Sequence, residues 1–174
     1  MPRLTANMQA AEARHIMEDG VAKAHIQSAT PKTGKPPSKA VYLDLTWKID
    51  DYPGHPEYTG REIRFDQVMY GGISAAGNPI NTDRFGRLVE YSGTPWECCE
   101  CHNGMESREF LMGTGDTGNG KPKGKRFCPD CQAHMNIDFD NDVMLGRVCM
   151  IAIGHEGDEP KVFNTVKDYG PIVP

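Results

Sequence analysis

Apolar and polar residues alternate most strictly between Ala40 and Ile49. Val41, Leu43, Leu45, Trp47 and Ile49 interleave there with Tyr42, Asp44, Thr46 and Lys48. A repeat of two predicts a strand with one face on a core and the other towards solvent or a ligand. Trp47 has the core parity and Tyr42 the outer one. Upstream, Val21 to Ala29 reads as a first strand, followed by the turn-rich TPKTGKPPSK of residues 30–39. A third strand runs from about Arg61 to Tyr70, with Ile63 and Phe65 on one face and Arg64, Asp66 and Tyr70 on the other. The alternation weakens at Val68 and Met69, which marks a bulge. Asn81 or Thr82 then caps a short helix through Tyr91 that turns Phe85, Leu88 and Val89 inward, and Gly93 and Pro95 stop it. A fourth strand is expected over Val143 to Ile153 and a last one over Lys161 to Val166. At the N-terminus, Thr5 to Met17 reads as an amphipathic helix with a stripe of Leu4, Met8, Ala11 and Ile16, ended by Gly20.

The chain divides on this reading into an N-terminal helical segment (1–19), a β-rich domain (20–93 with 143–174) and an insertion (94–142). Five strands with a helix between the third and fourth is, by analogy, the order of an OB-fold barrel. The expected fold is therefore mainly β: a five-stranded OB-fold-like barrel with a short helix and a zinc-ribbon insertion. The length of 174 residues suits one core plus such an insertion, and 19 Gly and 13 Pro favour turns over long helices.

The insertion carries the clearest chemistry. Cys98-Cys99-Glu100-Cys101 and Cys128-Pro129-Asp130-Cys131 each hold two thiols two residues apart. A tight turn after the first cysteine aims both sulfurs at one ion, and two such turns supply four soft ligands in a tetrahedron, which suits Zn2+. The 26 residues between the pairs (102–127) slightly exceed the usual ribbon spacing, and a glycine-rich loop absorbs the excess. Cys99 and His102 form a competing pair in the same turn; Cys98 and Cys101 are preferred because they mirror the downstream pair. Four protein ligands leave no open position, so the site is expected to be structural. A zinc deaminase needs Pro before its Cys-x-x-Cys, where Phe127 stands here. An HNH-type nuclease built on His134 and Asn136 lacks an obvious second catalytic His. No enzyme activity is expected. Cys149 lies in an apolar strand and reads as a small core residue.

No apolar run approaches the ~20 residues that span a bilayer, and the N-terminus shows no signal-peptide core. A cytoplasmic protein without a membrane partner is the expectation. The net charge of −5 argues against coating duplex nucleic acid by bulk charge. The charge is uneven, however. Lys32, Lys35 and Lys39 share one acid-free stretch, and Lys121, Lys123, Lys125 and Arg126 share another, while Glu156, Asp158 and Glu159 gather in the turn before the last strand.

Short motifs in order complete the picture: Gly20-Val21; Lys32-Thr33-Gly34-Lys35; Tyr42 to Ile49; Gly60-Arg61-Glu62-Ile63; Leu145-Gly146-Arg147 before the apolar Val148 to Ile153; and Asn164-Thr165-Val166-Lys167. This order, over about 20–92 and 143–170, resembles a family of OB-fold single-stranded DNA-binding proteins from phage recombination and replication gene clusters. The resemblance implies single-stranded DNA as partner, with phage or host replication and recombination proteins beside it, in the host cytoplasm. The knuckle insertion departs from the family's common form. So does the C-terminus, DYGPIVP, which lacks the acidic tail that recruits partners.

Single strands are held by cations that track phosphates and aromatics that stack on bases. On an OB-fold the binding face lies on strands two and three and their flanking loops. The candidates are then Tyr42, Lys48, Arg64 and Tyr70 on the strands, with Thr46 beside them. Lys32, Lys35 and Lys39 belong to the flanking loop, and Lys121, Lys123, Lys125 and Arg126 to the insertion. The rival expectation is a zinc-ribbon module that recruits a replication or recombination partner and has little DNA affinity. The acidic turn at 156–159 and the net charge favour that rival.

Overall fold

A computed structural model of the chain describes residues 16–98, 100–105, 109–123, 126–133, 137–138, 141–158 and 162–172. The expected N-terminal helix lies, up to residue 15, outside the described residues. Residues 16–19 are not helical, and Met17 is buried in the core.

The chain is mainly β. Strands β1 (Gly20–Thr33), β2 (Val41–Asp51) and β3 (Glu62–Gly71) form an antiparallel meander. Helix α1 (Asp83–Ser92) follows, then the insertion with β4 (Trp96–Cys98), β5 (Gly104–Met105), β6 (Leu111–Met112), β7 (Arg126–Phe127) and β8 (Ile137–Asp138). The chain returns through β9 (Val148–Glu156) and β10 (Phe163–Gly170). The large antiparallel sheet has the order β10-β9-β1-β2-β3.

Most strand parities hold. Leu43, Leu45, Trp47 and Ile49 are buried from one face of β2, while Tyr42, Thr46 and Lys48 lie half-buried on the other. Three boundaries move. β1 continues through TPKT, because residues 30–33 pair with Asp44 to Val41. Along β1, β9 pairs only with Gly20 to His25, so Pro31 sits on an edge, where a missing N–H breaks no ladder. β9 begins at Val148 rather than Val143: residues 141–144 form a 3-10 turn and Gly146 takes a φ of 76°. β10 runs on to Gly170 rather than stopping at Val166.

β3 carries the largest correction. Its register against β2 slips twice, once across Arg64 and Phe65 and once at Tyr70. Each slip is an extra residue in β3, and a bulge reverses which side chains face inward. Ile63, Asp66 and Val68 are consequently buried, and Phe65, expected inside, is 75% exposed at a φ of 65°. Tyr70, expected outside, packs half-buried with its ring 5.8 Å from that of Phe85.

Helix α1 buries Phe85, Leu88 and Val89 as its pattern predicts and ends on Gly93 in the left-handed region. No ladder joins the edge strands β3 and β10 among the described residues, but side chains do. Asp66 on β3 accepts hydrogen bonds from Trp47 Nε1 at 2.7 Å, Tyr169 Oη at 2.6 Å and Arg84 Nη2 at 2.6 Å. Arg84, on α1, also donates to the Val166 carbonyl of β10, and Arg87 pairs with Asp168 at 2.7 Å. Gly20 opens β1 where a Cβ would stand 2.4 Å from the Tyr52 hydroxyl, which donates to the Glu18 carbonyl. Among the described residues, no helix is long and apolar enough to cross a membrane.

Candidate metal centre and sheet face

The two knuckles fold alike. In the first, the Cys98 amide donates to Asn103 O and the His102 amide donates to Cys98 O. In the second, Cys128 N donates to Ala133 O and Gln132 N to Cys128 O. His102 and Gln132, the residues after each second cysteine, take φ values of 59° and 63°. The same turn made twice faces its thiols together: the sulfurs of Cys98, Cys101, Cys128 and Cys131 all lie within 4.8 Å of one another. Cys98 and Cys131 are 3.6 Å apart, and Cys101 and Cys128 3.7 Å. Asn103 clamps the knuckles by donating to Asp130 Oδ2 at 2.9 Å.

The amides of Cys101 and Glu100 hold the Cys98 thiol down at about 7. For Cys101 the Asn103 amide also acts downward, but desolvation and the neighbouring thiols outweigh it and push it up to about 12. Four thiols this close cannot all ionise without a cation among them, so the cluster is a potential metal site. The rival ligand His102 is exposed and points away, its Nδ1 3.0 Å from Glu97 Oε1. Cys99 lies outside the described residues. Cys149 is fully buried in β9, apart from the cluster, and desolvation pushes its thiol up to about 12. His55-Pro56-Glu57 has the His-x-Glu spacing of a deaminase, yet His55 contacts Glu57 and stacks on Tyr58 at 4.9 Å, outside the thiol cluster.

Small sheets support the knuckles: β4 pairs with β5 and β8, and β6 with β7. Met105, Phe110, Cys98 and Cys128 belong to the same buried cluster as the large sheet, so the insertion shares the main core. The glycine-rich loop is organised around Asn119. Its Oδ1 accepts from Thr114 N and Lys121 N, and its Nδ2 donates to Met112 O at 2.8 Å.

The candidate cations occupy varied settings. Lys32 extends from β1 rather than a loop and is ion-paired with Asp44. Arg64 is exposed and doubly bonded to Glu62, at 2.6 and 2.9 Å. Lys48 is half-buried on the same face, and Lys35 and Lys39 are exposed in the β1–β2 connection. Lys121 lies over the Phe127 ring at 4.4 Å and donates to Gln132 O; Arg126 lies 6.0 Å from the Phe110 ring. Lys123 is exposed, and Lys125 lies outside the described residues. Sequence reasoning missed two residues that organise this region, Phe65 outside and Asp66 inside. Both follow from one bulge that side-chain alternation does not encode. In comparisons with known proteins, the chain matches no family model and no curated protein.

Proposed function

We propose that this protein binds single-stranded DNA without sequence preference, in phage replication or recombination, and is not an enzyme. The observation that carries the reading is the strand order β10-β9-β1-β2-β3 with α1 between β3 and β9. That is the order of an OB-fold barrel, whose second and third strands serve single strands. The barrel would close where Asp66, Arg84 and Tyr169 tie β3 to β10. Tyr42, Lys48 and Arg64 share the outer face of β2 and β3. The phage setting rests on the motif order alone. We further propose that the cysteine cluster holds one structural zinc. Zn–S bonds of about 2.3 Å in a tetrahedron set sulfurs about 3.8 Å apart, and the pairs at 3.6 and 3.7 Å suit that ion.

The test is a titration with labelled oligo-dT at two salt concentrations. Binding that weakens with salt supports the proposal, and no binding at low salt refutes it. A second reading, a zinc-ribbon module that recruits a replication or recombination partner, is favoured by the pairing of Lys32 with Asp44 and Arg64 with Glu62, which spends cations inside the protein. Absent DNA binding together with one equivalent of bound zinc would select it.

A further inference from the structure

Phe65 combines three unusual properties. It is 75% exposed, it occupies the left-handed region at a φ of 65°, and it stands at a β-bulge. A bulky side chain with positive φ is strained, and such strain persists where surrounding structure imposes it. Here the bulge places the ring on the rim of two adjoining depressions. A cleft of about 970 Å³ lies towards the start of β10, and one of about 460 Å³ lies over β1 and β2; Glu62, Arg64 and Phe65 line both. The larger cleft is also lined by Phe163, itself 53% exposed, with Tyr58 and Arg61. Its acids are engaged: Glu62 by Arg64, and Glu57 by His55. The cleft therefore offers exposed aromatic faces, with Arg61 and the balanced Arg64–Glu62 pair beside them. Aromatic faces with adjacent cations match an unpaired nucleotide, whose base stacks and whose phosphate is anionic.

We infer that the cleft between β3 and the start of β10 is a nucleobase-stacking site for single-stranded nucleic acid, with Phe65 and Phe163 as the stacking rings and Arg61 and the Arg64–Glu62 pair on its rim. Resting on the single-strand reading above, this moves the stacking role from Tyr42 and Tyr70 to Phe65 and Phe163. It makes the groove continuous from the face of β1 and β2, past Phe65, to the edge at β10.

The test compares oligo-dT with an abasic oligomer of the same length, by fluorescence anisotropy at fixed low salt. The full chain is expected to prefer oligo-dT. Phe65→Leu and Phe163→Leu keep apolar bulk but lose the ring, and each is expected to weaken oligo-dT binding by about 5- to 100-fold while abasic binding stays unchanged. Phe65→Gly suits the left-handed backbone and serves as a second variant with the fold intact. If the parent discriminates the two oligomers and all three variants do so equally, the stacking assignment is overturned, the DNA reading stands, and the cleft is left to a polypeptide. If the parent binds neither oligomer, the single-strand reading itself has failed and this inference falls with it.

Discussion

Asp66 is the residue at which the sheet, the helix and the last strand meet. Burial pushes its carboxyl above the ordinary range, with Arg84 pulling it back. Asp66→Ala would strip the Arg84 guanidinium of its carboxylate partner, leaving it only backbone carbonyls, and would leave the Trp47 N–H without its acceptor. Breaking a buried ion pair from one side costs about 3–5 kcal/mol, and urea unfolding should show a loss of that size. Tyr169→Phe removes one buried donor to that carboxylate, so a smaller cost of about 1.5–3 kcal/mol is expected. The two faces of β2 should respond as differently. Trp47→Ala empties a fully buried site and is expected to cost about 3–5 kcal/mol, whereas Tyr42→Ala should cost little. Equal losses at both positions would contradict the observed register. Cys149 offers a pH check. Its thiol, raised to about 12, stays protonated at pH 8, where an ordinary cysteine is partly thiolate. Thiol reagents should leave it unmodified until the chain is denatured or the pH approaches 12.

At the scale of elements, β3 and the insertion behave oppositely as sequences. The knuckle pairing was legible because a metal-ligand turn is a local device, written in spacing alone. The parity of β2 and the inward face of α1 were legible for the same reason: each is a period within one segment. The bulge at Phe65 was not, because it depends on a backbone angle no side chain announces. Nor was the extension of β1 through Pro31, which needs the knowledge that β9 stops at His25. The insertion also gives the sharpest test of the metal. If the proposed zinc is held there, Cys128→Ser should abolish its binding and expose 94–142 to protease, since binding and local folding are coupled. Because Met105 and Phe110 share the main core, some loss of stability in the large sheet should accompany it, visible as a lowered Tm. Reversing Lys121, Lys123 and Lys125 to Glu tests whether the hairpin extends the groove. If it does, the salt dependence of oligo-dT binding should flatten.

For the molecule as a whole, a net charge of −5 means that the proposed affinity for nucleic acid would have to come from a localised face. The log–log salt slope for a single strand is about −0.7 per phosphate contact, so few contacts predict a shallow slope. A slope of about −2 to −3 would match three or four cations. Steeper dependence would require an additional basic surface. The long-range pairing of β1 with β9 bears on assembly. Gly20 lies opposite Ile153, so the whole insertion is synthesised before β1 finds its second neighbour. The meander of β1, β2 and β3 can form while the ribosome is still reading the insertion, leaving one edge of β1 open to the solvent. Closing a loop costs less when its interior is already compact. An ion that gathers 98–131 into one unit shortens the tether between β3 and β9. Zinc in the refolding buffer is thus expected to speed recovery of the large sheet itself, which stopped-flow refolding with and without a chelator would reveal as a change in rate. The metal would then act as a timer of translation-coupled folding as much as a brace of the finished protein.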